Sequence, residues 1–250
     1  MSRDPRILKA VQNLRKLRRV YAVISSKGGV GKTTVSTLLA LYTSNLHCPT
    51  GLIDLDFVNP STHVILGLKP EEVKYVEEKG ILPYRAHVNL YYFTIVSYTR
   101  DRSMALRGLS ARNALWEVLS IIDWRDVSVL YIDTPPGIGD EHLDLLYDLK
   151  EVLKPIVVTT PNLLSMHSAE KIIEILKELG YNEIYLIENM GHGSLLDYAG
   201  KHGLIYLGHI PFSNNMESVV GEISRLFNLD VRTHVEEIAW KLLKLNQMNY

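Results

Sequence analysis

The run Ser25-Ser26-Lys27-Gly28-Gly29-Val30-Gly31-Lys32-Thr33-Thr34 is the segment of this sequence best equipped for chemistry. Glycines at 28, 29 and 31 let backbone N–H groups around Val30 turn inward on phosphate oxygens with no Cβ in the way. Lys32 is placed to reach β- and γ-phosphates, and Thr33 to offer its hydroxyl to Mg²⁺. Thr34 follows in the opening turn of a helix whose positive end faces the same anion. Two further segments put carboxylates at strand ends, where they sit beside bound phosphates. One is Leu52-Ile53-Asp54-Leu55-Asp56, running into Phe57-Val58-Asn59-Pro60-Ser61; the other is Leu130-Tyr131-Ile132-Asp133-Thr134-Pro135-Pro136-Gly137. A lone aspartate at a strand end is often only a helix cap.

These residues need strands to carry them. Short, β-branched apolar runs are expected as strands at Val20–Ser25, Gly51–Leu55, Val88–Val96, Val127–Asp133, Ile156–Thr160, Glu183–Glu188 and Leu204–Ile210. Most are continuously apolar, as parallel strands covered on both faces must be. Helical patterns alternate with them. In Ser165–Leu179, Ala169, Ile172, Ile173 and Leu176 form the buried stripe, and in the last helix Val235, Ile238, Ala239 and Leu242 do so. The alternation predicts a single doubly wound α/β domain, mostly parallel with helices on both faces, over residues 20–250.

The composition fits that plan. A chain of 250 residues with 46% hydrophobic content can bury a large core, which excludes disorder and collagen-like repeats. Its 27 basic and 28 acidic residues leave a net charge of -1, which argues against a nucleic-acid coat. One cysteine permits neither an intrachain disulfide nor a CxxC motif. Thr33 to Ile53 lacks charged residues over a length able to span a bilayer, but its hydroxyl residues, Pro49 and Gly51 make it a buried helix, turn and strand. The charged N-terminus has no apolar signal region, so a soluble, cytoplasmic protein is expected, with no stable membrane insertion.

Residues 1–19 form a separate element, a basic amphipathic helix. Arg3, Arg6, Lys9, Arg15, Lys16, Arg18 and Arg19 surround Ile7, Leu8, Val11 and Leu14 at helical spacing. The apolar stripe packs on its own domain, docks a partner or lies on a membrane surface; residues 4–19 are expected to dock a protein.

KGGVGKTT, with Lys27 inside the loop, resembles the deviant Walker A signature of the MinD, ParA and Mrp ATPases. The resemblance spans roughly residues 20 to 225, and includes TPPGIGDEHL at 134–143, VVTTPNLLSMHSAEK at 157–171 and LGHIPF at 207–212. It implies an ATP hydrolase in which Lys27 crosses a nucleotide-sandwich homodimer to the partner's phosphates. By the same analogy Asp56 orients the attacking water, Asp54 supports the Mg²⁺ shell, and Asp133 binds Mg²⁺ through water. The Gly137 amide would sense the γ-phosphate. Catalytic roles therefore fall on Lys27, Lys32 and Asp56, and metal-binding roles on Thr33, Asp54 and Asp133. Related proteins select GTP through Asn-Lys-x-Asp, which this chain lacks. Ile187-Glu188-Asn189-Met190 resembles the Mrp-family ENM; there Asn189 would read the adenine amine and Pro211 would pack on the ring, favouring ATP and ADP.

Mrp and Nbp35 iron–sulfur carriers have a CxxC shortly after ENM, whereas this chain reads Gly191-His192-Gly193-Ser194-Leu195-Leu196-Asp197-Tyr198. Cluster ligation needs thiolates. An Mrp-like ATPase without them, carrying a basic N-terminal helix, resembles the archaeal ATP-dependent HypB branch. That resemblance implies nickel insertion into [NiFe] hydrogenase with a HypA-like metallochaperone as partner. The adjacent His47 and Cys48, or His192, supply too few ligands for a nickel site of their own. The alternatives are an iron–sulfur assembly ATPase of the Mrp/Nbp35 type lacking the CxxC, and a MinD- or ParA-like spatial regulator.

Overall fold

The computed structural model describes residues 4–99, 109–137 and 139–245; Arg3 and Ile138 of the segments above lie outside them. The apolar runs become strands of one sheet: β1 (Arg19–Ile24), β2 (Thr50–Asp54), β6 (Leu90–Thr94), β7 (Val129–Asp133), β8 (Leu153–Thr159), β9 (Tyr185–Asn189) and β10 (Ile205–Ile210). With β5 (Tyr84–His87) on the edge, the order is β10-β9-β8-β1-β7-β2-β6-β5, parallel throughout except for the antiparallel β5–β6 pair. A minor ribbon of β3 (Val76–Glu77) and β4 (Ile81–Leu82) stands apart.

Helices cover both faces, as continuous apolar strands require. In chain order they are α1 (Pro5–Leu14), α2 (Lys32–Asn45), α3 (Thr62–Leu66), α4 (Ile95–Thr99), α5 (Leu109–Ile121) and α6 (Asp140–Asp148). They continue with α7 (Leu163–Glu178), α8 (Leu196–Lys201), α9 (Met216–Val219), α10 (Ile223–Leu226) and α11 (Arg232–Lys244). One core, between sheet and the α1, α5 and α7 side, includes Trp116, Ile132 and Leu176; the other, under α2 and α11, includes Leu39, Tyr131 and Ile238. The stripes expected of α7 and α11 are all buried. The uncharged run 33–53 is α2, a turn and β2. No described helix is long and apolar enough to cross a membrane.

Two expectations change. The strand expected at Val88–Val96 stops at Thr94, because Ile95 starts α4. Most of the α1 stripe offered to a partner is covered by its own chain: Ile7 and Leu14, with Ala10, are buried in the core cluster that also takes in Leu115, Trp116 and Leu119 of α5, and Val11 packs against it, while Leu8 stays exposed. Asn13 Nδ2 donates to the Ser120 and Ile122 carbonyls, and Arg6 donates to the Asn113 side chain, so polar ties fix the same docking. Asp4 caps the helix by accepting from the Arg6 backbone N–H, and Pro5 sits at its first turn. What α1 leaves for a partner is Leu8 and the basic outer face.

Candidate functional site

The parallel sheet delivers the chemistry-bearing residues to one end. The phosphate loop leaves the carboxyl end of β1, the central strand, between β7 and β8. Asp54 and Asp133 are register partners at the ends of β2 and β7. They therefore stand side by side next to the loop, although 79 positions separate them in sequence (133 − 54).

Lys32 and Asp133 are the closest pair. The Lys32 Nζ donates to Asp133 Oδ1 at 2.5 Å, and both side chains are almost fully buried. Thr33 Oγ1 donates to Asp133 Oδ2 at 2.9 Å, and Ser36 Oγ to Oδ1 at 2.8 Å. Ser36 stands outside the sequence motifs. It lies one helical turn past Thr33 on the α2 face that meets β7, and that spacing is the signal that marks it. The lysine charge is thus stored on a carboxylate, at a place where incoming phosphate oxygens can compete for it.

Asp54 is engaged differently. Its Oδ2 accepts from the Ser61 and Thr62 N–H groups, each at 3.1 Å, and from Thr62 Oγ1 at 2.7 Å; its Oδ1 accepts from the Asp56 N–H at 3.0 Å. The carboxylate therefore folds the 56–62 loop and holds the start of α3. Burial, and then the neighbouring charge of Asp133, push its pKa up to about 7 against the pull of those donors. Asp56 Oδ1 accepts from the Val58 and Asn59 N–H groups, which orients the side chain at the loop's partly exposed rim. The Gly137 N–H donates to the Ser25 carbonyl at 3.0 Å, so in this state it faces the phosphate loop's own backbone.

Lys27 is half-buried, and among the described residues no carboxylate pairs with it. It lines an open cavity of about 370 Å³ with Gly28, Gly29, Val30, Asn162 and Met190. On the other side of the loop is a cleft of about 420 Å³ whose walls include Gly31, Thr34, Asn189, Pro211 and Met216. Asn189 and Pro211, expected to meet a base, are thus together beside the loop. The Asn189 Nδ2 donates to the Val30 carbonyl at 2.8 Å, which leaves its Oδ1 as an acceptor for an amine. Gly31 is required twice: its φ is +78°, and a Cβ there would lie 2.3 Å from Asn189 Nδ2.

Glu188 opens the ENM segment, whose sequence assigns it no task, yet it organises the loop after β9. The side chain is wholly buried. Oε1 accepts from the N–H groups of His192, Gly193 and Ser194 and from Ser194 Oγ; Oε2 accepts from the Leu195 N–H at 2.8 Å and the Tyr206 hydroxyl at 3.0 Å. Burial alone would raise its pKa, but these donors hold the carboxyl below the usual glutamate range. The His192 backbone serves that carboxylate, and His47 and Cys48 precede β2 at the opposite end of the sheet from the phosphate loop. The described residues contain no group of three His, Cys, Asp or Glu side chains able to hold a metal ion.

A glycine-rich loop between a central parallel strand and a helix, flanked by Asp54 and Asp133 and an apolar cleft, defines a P-loop nucleotide-binding protein. Solved structures agree on the fold. The MinD cell division protein of Aquifex aeolicus superposes with a TM-score of 0.68 at 19% identity, over 90% of this chain and 97% of that one. A nucleotide-binding protein from Archaeoglobus fulgidus, in complex with ADP, gives 0.70 at 24% identity over 92% of each chain. The family is narrower. A ParA family model, described as NUBPL iron-transfer P-loop NTPase, matches residues 16–242, and the chain belongs to that family. A cytosolic Fe-S cluster assembly factor Nubp2 homolog of Aedes aegypti is 37% identical over 182 residues, covering 71% of this chain and 70% of that protein. An iron-sulfur cluster carrier protein of Aquifex aeolicus is 32% identical, covering 78% and 58%. These findings overturn the HypB reading, with its nickel insertion, hydrogenase maturation and HypA-like partner: the family model describes iron transfer and these relatives are iron–sulfur factors. The missing CxxC separates this chain from the carriers, but it does not move it to the nickel branch.

Proposed function

We propose that this chain is a Mg²⁺-dependent ATPase of iron–sulfur cluster assembly, cytosolic like the Nubp2 homologs it resembles, which holds no cluster on thiolates of its own. The observation that carries the reading is the buried Lys32–Asp133 pair, joined by Thr33 and standing beside Asp54, in a chain of the iron-transfer family. Asp133 and Asp54, at adjoining strand ends, and Thr33, in the first turn of α2, are hard oxygen donors, the donor set that suits Mg²⁺. Bound there with ATP, the ion would neutralise charge on the phosphate oxygens. The protein's part is to receive and orient. Phosphate oxygens displace Asp133 as the partner of Lys32, and N–H groups of residues 28–33 surround them. Asp56, its Oδ1 fixed by the 58 and 59 amides, holds the attacking water on Oδ2. Asn189 Oδ1 accepts from the adenine amine and Pro211 packs on the ring.

Turnover then depends on a second copy, whose Lys27 would supply the charge this active site lacks. The surface around the loop supports such a contact. Val58 is 89% exposed, Leu163 83%, Leu164 72% and Phe212 62%, and all of them lie just past the carboxyl ends of strands that surround the nucleotide site. Exposed apolar side chains gathered at this end of the sheet suit an association surface.

A single cysteine at the far end of the sheet gives an iron–sulfur cluster no thiolate pair near this face. The cluster is then the cargo of a partner, and ATP works on the assembly. Anaerobic reconstitution of the purified chain with iron and sulfide, followed by phosphate-release assays, tests this. The expected result is a colourless protein that hydrolyses ATP with Mg²⁺ and not with EDTA. A stoichiometric cluster on the isolated chain would overturn it.

A further inference from the structure

The base cleft has two walls that meet at a pair of glycines. One is α3, which contributes Ile65; the other is the segment that contributes Met216, Glu217 and Val220. Just past each wall, Gly67 and Gly221 cross at backbone contact. Gly67 caps α3 with φ +68°, and Gly221 has φ +88°. The Gly221 N–H donates to the Ile65 carbonyl at 3.0 Å, which ties the second wall to the first. A Cβ on Gly67 would lie 2.0 Å from the Gly221 carbonyl oxygen, 2.7 Å from its carbon and 2.9 Å from its Cα. Real Cβ contacts are essentially never shorter than 3.0 Å, so the Gly221 backbone would have to retreat by about an ångström (3.0 − 2.0). α3 cannot retreat instead, because its first turn is held by Asp54 through the Thr62 N–H and Oγ1, and Thr62 Oγ1 is also 2.7 Å from the Tyr92 hydroxyl.

We propose that the Gly67–Gly221 crossing sets the width of the base cleft, which makes both glycines positioning residues for the nucleotide. The inference rests on the reading of this cleft as an adenine site. Neither glycine approaches the phosphate loop, so their effect falls on binding and not on the chemical step. Because the base is common to ATP and ADP, both nucleotides should weaken alike. A lesion in the phosphate loop would separate the two.

The test is titration of the full chain with ATP and ADP, together with steady-state turnover, for wild type, Gly67→Ala, Gly221→Ala and Gly203→Ala. Gly203 is the control for backbone strain: its φ is +64°, nothing lies within 4 Å of its hypothetical Cβ, and it is in the turn before β10. Gly67→Ala is expected to weaken ATP and ADP by about tenfold each, one decade in Kd, and to raise KM in step while kcat stays within about twofold. Gly221→Ala adds no clash, since its Cβ would meet Gly67 Cα at an ordinary 3.7 Å, but it strains the backbone of the crossing itself at φ +88°, so it should act in the same direction more weakly. It decides the matter if Gly67→Ala fails to fold. Gly203→Ala should lose stability and keep its nucleotide affinity. The proposal is overturned if Gly67→Ala, or Gly221→Ala in its place, binds both nucleotides as wild type does. A fall in kcat at unchanged KM would overturn it too. A wild-type chain that binds no adenine nucleotide would instead remove the underlying adenine-site reading.

Discussion

Replacing Glu188 by glutamine keeps the shape of a wholly buried side chain and removes its charge. With the amide oxygen in the place of Oε1, the contacts to His192, Gly193 and Ser194 survive as neutral hydrogen bonds, roughly half as strong as charge-assisted ones. The amide nitrogen then replaces Oε2 and faces two donors. The Tyr206 hydroxyl can rotate and accept; the Leu195 N–H cannot, and stays buried without a partner. One orphaned N–H costs about 1–3 kcal/mol, and relief from burying a charge offsets part of the weakening elsewhere, so the net loss is about 2–4 kcal/mol. For a chain of this length that lowers Tm by about 5–15 °C. Urea denaturation of wild type and Glu188→Gln, with the slope unchanged, is the assay. The sign with pH is set by a carboxyl held below its usual range. The native contribution is fully present above the unfolded-state value and is lost as pH falls through the folded one. The gap between the two proteins must therefore close in acid. A loss under about 0.5 kcal/mol at neutral pH, the ordinary scatter of surface changes, would mean that the Glu188 charge does not hold this loop, as would a gap that does not shrink on acidification.

Packing and charge give two further outcomes. Leu14→Ala removes a side chain only 1% exposed under α5, and should cost about 2–5 kcal/mol in chemical denaturation; a cost under about 1 kcal/mol would mean that α1 is a detachable arm after all. Asp133→Asn strips the counter-charge from a buried lysine and should destabilise the free protein by about 3 kcal/mol, while Mg²⁺ loses its effect on ATP affinity in calorimetry. An unchanged Mg²⁺ dependence would remove Asp133 from the metal site.

What could be read from the sequence was local. The phosphate loop is contiguous, and each glycine, lysine and threonine in it has a role that its neighbours define. The parallel core strands were legible because burial on both faces leaves continuous apolar runs. β5 was not: Tyr84-Arg85-Ala86-His87 is an antiparallel edge with no apolar run to mark it. Ile95 and Val96 look like strand by their branching, yet the chain has already turned into α4. The remaining silent features are contacts between distant positions. Nothing local in Glu188 announces six donors, and nothing in Gly67 announces Gly221. The basic helix misled for a related reason: an amphipathic stripe shows that something must cover it, and α5 was the cover. The nickel branch was inferred from a motif that is missing, and the missing motif gave no positive signal for nickel.

If ATP hydrolysis is completed by Lys27 of a second copy, turnover must depend on association. The direct measurement is phosphate release per chain as a function of protein concentration, for wild type and Lys27→Ala, with ATP binding measured in parallel. Wild-type turnover per chain is expected to rise with concentration, and Lys27→Ala to bind ATP without turning it over at any concentration. Turnover per chain that is independent of concentration and survives Lys27→Ala would contradict it.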